Sequence, residues 1–322
     1  GYYPSDVWIA EGVKGIFNKA KNAGVMINSE YDEQCVGLSN DANTMFVYVD
    51  KVKEYGDIYI SKKGSRSFMK IQKMGDIVNS PYIETAASIS ADGNTLFFAS
   101  DRPDGQGGLD LWMTRKLPTG DWAIPQNLGP KVNTPYNEDF PTLSEDGKTL
   151  YFCSEGHSGM GGYDIFKTEW EPETNTWGVP KNIGYPINTP YDERVISFNA
   201  DGTVAYISAI RKEGKGDLDI YKVIFEDNVP AQAILKIKLT SSQNDTLVIK
   251  DAMVSIYDSM SELKGSYMPN PNTGEFLIIL EKGDYSMEIE APGFEFHVED
   301  LKITNVEIKN SVVHRNLALK PE

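Results

Sequence analysis

Carboxylate side chains recur at a fixed spacing along this chain, and carboxylates commonly carry acid–base chemistry and bind cations. The motif Asn-Ser/Thr-x-Tyr-x-Glu places glutamates at Glu33, Glu84, Glu138 and Glu193. Thirteen residues after the Asn of each motif come the aspartates Asp41, Asp92, Asp146 and Asp201. A catalytic acid and base need two different environments, whereas repeated residues have nearly the same surroundings in every copy. We therefore expect structural roles for both sets, with a ring of glutamates that holds a cation as the alternative.

Other reactive residue types form no recognisable site. The histidines His157, His297 and His314 do not pair at metal-ligand spacing, and no Cys-x-x-Cys is present. The glycine run at residues 105–108 lacks the helix that a dinucleotide-binding motif requires. The sequence thus predicts no catalytic residue, no metal and no cofactor. Cys35 and Cys153 are predicted to be buried free thiols, since unpaired cysteines often behave as small core residues.

The repeat that carries these carboxylates predicts the architecture. Its first Asn recurs at Asn28, Asn79, Asn133 and Asn188, which are 51, 54 and 55 residues apart. Each unit contains a Ser-x-Asp-Gly-like turn between two apolar runs, which indicates a hairpin. A glycine-rich loop, an Asp-aliphatic-aromatic strand and a Trp/Pro/Gly segment follow. Each unit is therefore predicted to form four short strands.

Four-stranded units in tandem, with no helical pattern between them, predict a β-propeller. A twisted sheet cannot cover both of its apolar faces alone, and packing sheets side by side around an axis covers them. Residues 1–226 are predicted to form this domain, with a partial blade at 1–27 and repeats from about 28, 79, 133 and 188. Five blades is the expected count and six the alternative. Because the first unit is only half a repeat, we expect its missing strands to precede Gly1.

A different pattern follows a predicted linker at residues 227–232. Residues 233–322 contain short β runs, including 234–239, 252–257, 275–280, 285–291 and 312–319, separated by turns such as Lys282-Gly283-Asp284. Regularly spaced short strands predict a β-sandwich of about seven strands. The fold class expected for the whole chain is therefore all-β, a β-propeller followed by a sandwich.

The charge of the chain excludes some partners. It carries 31 Lys and Arg against 47 Asp and Glu, a net charge of −16. Such a surface repels nucleic-acid phosphates and anionic lipid and favours basic partners. No apolar run approaches the roughly 18 residues of a membrane span.

Two segments resemble known families. Residues 156–167 and 182–189 resemble blades of the TolB-like, WD-like propeller found in OmpA-family periplasmic proteins of the Bacteroidota. Residues 251–254, 273–276 and 282–285 resemble a carboxypeptidase regulatory-like, transthyretin-type sandwich. That domain order resembles the peptidoglycan-anchoring outer-membrane lipoproteins of type IX secretion systems. The resemblance implies a periplasmic, outer-membrane-associated scaffold that reaches peptidoglycan through a domain absent from this sequence.

The predicted function is therefore binding of other envelope or secretion proteins, without catalysis. Loop residues that depart from strict repetition are the better candidates for contact with a partner. These candidates are Arg102, His157, Met160, Tyr163 and Arg211. The alternatives are a glycan-binding or glycan-processing propeller and an inert structural spacer.

Overall fold

A computed structural model describes residues 4–13, 15–39, 41–51, 55–199, 202–225, 232–304 and 313–322. Within these ranges all regular secondary structure is β-strand, which confirms the all-β class. The described part of the chain accordingly has no helix able to cross a membrane. The repeat aspartate Asp201 and residues 227–231 of the predicted linker lie outside the described residues.

The chain packs as two compact units, each made of several stretches of sequence. The first comprises Gly1–Phe152, Thr168–Val179 and Phe198–Gly202. The second comprises Cys153–Lys167, Pro180–Ser197 and Thr203–Glu322.

Short strands precede the first complete repeat. They are β1 (Trp8–Ile9), β2 (Gly12–Val13), β3 (Ile16–Phe17) and β4 (Lys21–Asn22), in the pairs β1–β4 and β2–β3. The first complete repeat then forms a sheet of β5 (Asp32–Leu38), β6 (Thr44–Asp50), β7 (Asp57–Lys62) and β8 (Gln72–Lys73). Its strands lie in the sheet in chain order and pair antiparallel.

The second repeat keeps this order with the four predicted strands, whereas the third has five strands. The second consists of β9 (Glu84–Ile89), β10 (Thr95–Ser100), β11 (Asp110–Arg115) and β12 (Gln126–Asn127). The third consists of β13 (Glu138–Leu143), β14 (Thr149–Ser154) and β15 (Asp164–Glu171), and both β16 (Thr176–Trp177) and β17 (Lys181–Asn182) pair with β15. The fourth has three described strands, β18 (Glu193–Phe198), β19 (Val204–Ala209) and β20 (Asp219–Ile224). Up-and-down sheets of this order are the unit from which propellers are built.

The turn between the first two strands of a repeat depends on its aspartate. In the second repeat the Ser90 hydroxyl and the Asn94 amide donate to Asp92, at 2.5 and 3.0 Å. The Thr95 amide donates back to Ser90 Oγ at 2.9 Å. Gly93 has φ of 71°, a left-handed conformation that glycine adopts without strain. The three described turn aspartates, Asp41, Asp92 and Asp146, therefore fix hairpin geometry, as the sequence predicts.

Neighbouring repeats bury their apolar faces against each other in the first unit. One cluster joins Val36, Phe46 and Ile58 of the first repeat to Ala87, Leu96 and Phe98 of the second. All six side chains are at most 5% exposed. Burial of this kind is the main stabilising contribution to a fold, at about 25 cal/mol per Å² of apolar surface.

The C-terminal strands of the second unit form two sheets around one core. One sheet contains β21 (Gln232–Ser241), β22 (Asn244–Val248), β25 (Glu275–Glu281) and β28 (Val313–Leu319), and the other contains β23 (Met253–Asp258), β24 (Leu263–Tyr267), β26 (Gly283–Glu290) and β27 (His297–Ile303). The sequence runs indicated five of these strands. They missed β22, β24 and β27, whose polar and exposed positions weaken the apolar pattern.

The prediction of two buried thiols is wrong for one of them. Cys153 is buried, but Cys35 is exposed. A register shift between Cys35 and Gly37 interrupts the alternation of β5. Gln34 and Cys35 are both exposed as a result, where strict alternation would bury one of them.

Candidate functional site

The first Asn of each repeat ties that repeat to the strand before it. Asn79 Oδ1 accepts a hydrogen bond from the Ile58 amide at 2.9 Å, and its Nδ2 donates to the Ile58 carbonyl at 2.8 Å. The same exchange joins Asn28 to Val7, Asn133 to Leu111 and Asn188 to Ile165. The asparagine side chain thus replaces a strand partner, which is a structural task.

The repeated glutamates are buried and hydrogen-bonded. Glu84 is fully buried and accepts from the Ser80 amide at 2.9 Å, the Ser80 hydroxyl at 2.6 Å and the Ser100 hydroxyl at 2.8 Å. Glu33, Glu138 and Glu193 accept the equivalent amide and hydroxyl bonds from Ser29, Thr134 and Thr189. These donors occupy the carboxylate lone pairs that a general base or a metal ligand would use. In the described residues no group of three His, Cys, Asp or Glu side chains is placed to hold a metal ion.

Two of the predicted contact residues bind these glutamates instead of solvent. Arg102 Nη2 donates to Glu84 at 3.0 Å and to the Val78 carbonyl at 2.5 Å, and its guanidinium lies 4.7 Å from the Phe98 ring centre. Arg211 forms the same ion pair with Glu193. Burial raises the pKa of Glu84, and burial together with the charge of Asp164 raises that of Glu193 to about 8. The two arginines oppose these shifts.

In the second and third repeats the aspartate that begins the third strand holds the glycine-rich loop before it. Asp110 accepts the amides of Gln106 and Gly107, and Asp164 accepts those of Met160 and Gly161 at 2.6 and 3.2 Å. Asp164 is fully buried, and burial raises its pKa to about 7. This loop geometry explains why the glycines repeat: a Cβ on Gly159 would lie 1.8 Å from Asp164.

The other three predicted contact residues lie on the loop of the third repeat. Met160 is fully buried, in the apolar core that also contains Phe276 and Ile278. The Met268 amide donates to the Met160 carbonyl at 2.7 Å. His157 is half-buried, with its ring 5.2 Å from that of Phe166. Met160 therefore presents no surface to an outside partner.

Tyr163 is likewise enclosed by its own chain. It is 7% exposed, and the Arg194 guanidinium lies 4.7 Å from its ring centre. Its amide donates to Asp192 at 3.2 Å. The candidates chosen because they depart from strict repetition thus contact other parts of the same chain.

An open groove lies elsewhere, beside the hairpin turns of the second and third repeats in the first unit. Its cavity volume is about 470 Å³. It is lined by Ser90, Ala91, Asp92, Thr95, Phe97, Met113, Arg115, Leu143, Glu145, Asp146, Gly147, Trp170, Asn175 and Trp177. We call this surface the hairpin groove.

Aromatic side chains contribute to the apolar lining of the hairpin groove. Trp177 is 5% exposed and contacts the Phe97 ring edge-on, with ring centres 5.7 Å apart. Trp170 is half-buried and meets Trp177 at 5.3 Å between ring centres. Apolar surfaces bordered by a few polar groups are typical of binding sites.

Charged side chains border the same groove. Asp92, Glu145, Asp146 and Arg115 are all exposed. Hydrogen bonds from Ser90 and Ser144 hold the pKa values of Asp92 and Asp146 below the usual range, which keeps both carboxylates ionised. Lys148 lies 4.0 Å from Asp146 at the surface, where such a pair contributes little. The four charges that line the groove leave it acidic.

Sequence reasoning missed this groove, although one signal was available. Alignment of the repeats on Asp57, Asp110, Asp164 and Asp219 places Lys63, Lys116, Trp170 and Phe225 at one position. Trp170 thus departs from the lysine of the two repeats before it, and it lies on the hairpin side rather than in the glycine-rich loops that contain the predicted residues.

Known proteins give a fold-level comparison only. No model of a known protein family matches the chain, and no curated protein sequence matches it. Similar solved structures include TolB from Acinetobacter baumannii, at 13% identity and a TM-score of 0.42, over 88% of this chain and 57% of that chain. A protein of Agrobacterium tumefaciens assigned as TolB has 12% identity and a TM-score of 0.42, over 84% of this chain and 82% of that chain. The periplasmic gluconolactonase PpgL of Pseudomonas aeruginosa has 16% identity and a TM-score of 0.35, over 92% of both chains.

The chain therefore spans little more than half the length of the first of these structures. At such identities and TM-scores the similarity assigns neither an activity nor a partner to it.

Proposed function

We propose that this chain is a non-catalytic protein-binding module of the bacterial periplasm, associated with the outer membrane. In this proposal it is a scaffold within a secretion machine of the type IX kind, and a further domain of the whole protein binds peptidoglycan. The motifs at residues 156–167 and 182–189, which resemble blades of OmpA-family periplasmic proteins, support the compartment. The net charge of −16 favours protein partners with basic surfaces over nucleic acid.

One observation carries the non-catalytic part of the proposal. The carboxylates that recur most regularly, including Glu84 and Glu193, are buried and bonded to amide and hydroxyl donors of their own chain. A general base must reach a substrate proton with a free lone pair. These residues instead join the strands of the repeat, so the carboxylates that recur in the motif serve folding.

The binding part rests on the hairpin groove. Its volume of about 470 Å³, its tryptophans and its charged border suit contact with another molecule. A rigid sheet framework beneath it, fixed by the turn aspartates, would present this surface without rearrangement.

Affinity purification from the source bacterium tests the proposal. The tagged chain, added to an envelope extract, should retain at least one periplasmic or outer-membrane protein at a constant molar ratio. The same chain should show no turnover of lactone, aryl glycoside or peptide substrates. Retention of no envelope protein, or turnover that is lost on Glu193→Gln, would contradict the proposal.

A replacement experiment separates scaffolding from spacing. The residues of this module are exchanged, in the whole protein, for an inert linker. We expect secretion to fail although the flanking parts remain. Normal secretion with the linker would favour the spacer.

A further inference from the structure

The residue at the position of Trp170 differs between the second and third repeats, and in the third repeat it lines the hairpin groove. In the second repeat, Lys116 occupies this position, and its Nζ lies 5.4 Å from the ring centre of Trp122. In the second repeat, therefore, a lysine of the repeat lies over an aromatic ring of the same repeat. In the third repeat Trp170 takes the place of that lysine, and it meets Trp177, the counterpart of Trp122, edge-on.

This exchange removes a positive charge and adds a half-buried aromatic ring beside three carboxylates. Asp92, Glu145 and Asp146 line the same groove, with Arg115 as the single basic residue among its lining residues. A cation within about 6 Å of an indole face is attracted to the ring. Nearby carboxylates attract the same cation through their charge. The groove therefore complements a positively charged side chain from outside.

The charge of the groove favours a basic peptide over a neutral sugar. Hydrogen bonds from Ser90 and Ser144 keep Asp92 and Asp146 ionised. These charges attract a basic side chain, whereas a neutral sugar gains nothing from them. The apolar floor of Phe97 and Leu143 in addition suits an aliphatic side chain.

We propose that the hairpin groove binds an exposed segment of a partner protein in which an aliphatic side chain is followed by lysine or arginine. The aliphatic group packs on the floor, and the cation lies over Trp170 between the carboxylates. The inference rests on the proposed binding function and names its contact surface.

Fluorine NMR of the chain labelled with 5-fluorotryptophan tests this inference. The probes are three capped octapeptides whose cores are Leu-Arg-Leu-Lys, Leu-Gln-Leu-Gln and Leu-Glu-Leu-Glu, together with chitohexaose. Single Trp→Phe variants assign the signals. We expect the Trp170 and Trp177 signals to shift with the basic peptide only, and the affinity to fall as salt is raised.

Variants sharpen the measurement. Trp170→Lys, which restores the residue type of the first and second repeats, should weaken binding about tenfold, and Glu145→Gln about threefold. Lys116→Ala, at the same repeat position outside the groove, should leave binding unchanged. Near-UV circular dichroism checks folding, and Glu145→Gln, at an exposed turn, keeps the test valid if Trp170→Lys does not fold.

Equal shifts with all three peptides, no shift of Trp170, or a response to chitohexaose alone would overturn the inference. The proposed function is tested separately. If Trp170→Lys still retains the envelope partner at the wild-type ratio, the groove is not its contact surface although the binding function stands. If the wild-type chain retains no partner, the function itself fails.

Discussion

The second and third repeats have the same polar framework but different glycine-rich loops. Asp110 and Asp164 hold the two loops through equivalent amides. Gln106 in the second loop is exposed, whereas Met160, at the same position in the third, is fully buried. The difference shows that the framework sets the course of the loop, and that single substitutions within it decide what the loop contacts.

A second difference follows the same rule. After the last residue of the second strand, the second repeat places Arg102 against Glu84, but the third repeat has Gly156 at the aligned position. The loop next to Gly156 carries the Glu155 carbonyl that accepts from Asn270 at 2.8 Å. Where the repeat loses its arginine, the loop contacts the C-terminal strands of its own unit.

The largest expected effect comes from truncation of the buried loop residue. Met160→Ala should lower the free energy of unfolding by about 3 kcal/mol, because it opens a cavity in the core around Phe276. Gln106→Ala, at the same repeat position, should change it by less than about 0.5 kcal/mol. Urea titration measures both. Equal losses for the two variants would show that the loop itself, and not its contact, sets stability.

The next effect concerns the arginine of the second repeat. Arg102→Ala should lower the free energy of unfolding by about 2 to 3 kcal/mol, since it leaves the buried Glu84 carboxylate without its cation, and the Arg102 side chain is only 12% exposed. Arg102→Lys should recover part of this loss, because lysine keeps the charge but not the planar fork. A loss under about 0.5 kcal/mol for Arg102→Ala would mean that the serine donors alone satisfy Glu84.

A pH dependence should separate the third repeat from its neighbours. Burial raises the pKa of Asp164 from 3.8 to about 7, and the charge of Asp192 adds to the shift. Burial and the charge of Asp164 raise the pKa of the nearby Glu193 to about 8, and the charge of Arg211 opposes this shift. The folded state therefore retains protons that the unfolded chain releases above about pH 4, so stability falls as the pH rises.

We expect the free energy of unfolding to drop by at least about 1 kcal/mol between pH 5 and pH 8, and Asp164→Asn to flatten this slope. Urea titrations at pH 5, 6.5 and 8 measure it. Stability that increases with pH over this range would show that Asp164 is ionised in the folded chain.

The repeat made much of the fold predictable. A motif that recurs with its Asn, Glu and Asp at constant offsets implies that each copy makes the same hydrogen bonds, as Asn79 and Asn133 do. The four strands of the first and second repeats and the hairpin at Asp92 follow from that pattern. Strands such as Leu263–Tyr267 were missed because an edge strand with polar and partly exposed positions lacks the apolar pattern that identifies a buried strand.

The candidate site was less predictable, for a reason that the repeats make plain. Departure from repetition identifies unusual residues, but it does not tell whether they contact their own chain or an outside molecule. Met160 and Trp170 are both departures, and only the packing shows that one lies in the core while the other lines an open groove.

The smallest expected effect tests whether Trp170 is a surface residue at all. Trp170→Lys and Lys116→Trp exchange the residue types of the two repeats. Each should change the free energy of unfolding by about 1 kcal/mol or less, because an edge-on aromatic pair and a cation over a ring contribute similar, small amounts. Urea titration of both variants checks this. A loss above about 2 kcal/mol for Trp170→Lys alone would place the indole in the core. Met160 and Trp170, the two departures of the third repeat, would then both stabilise the fold.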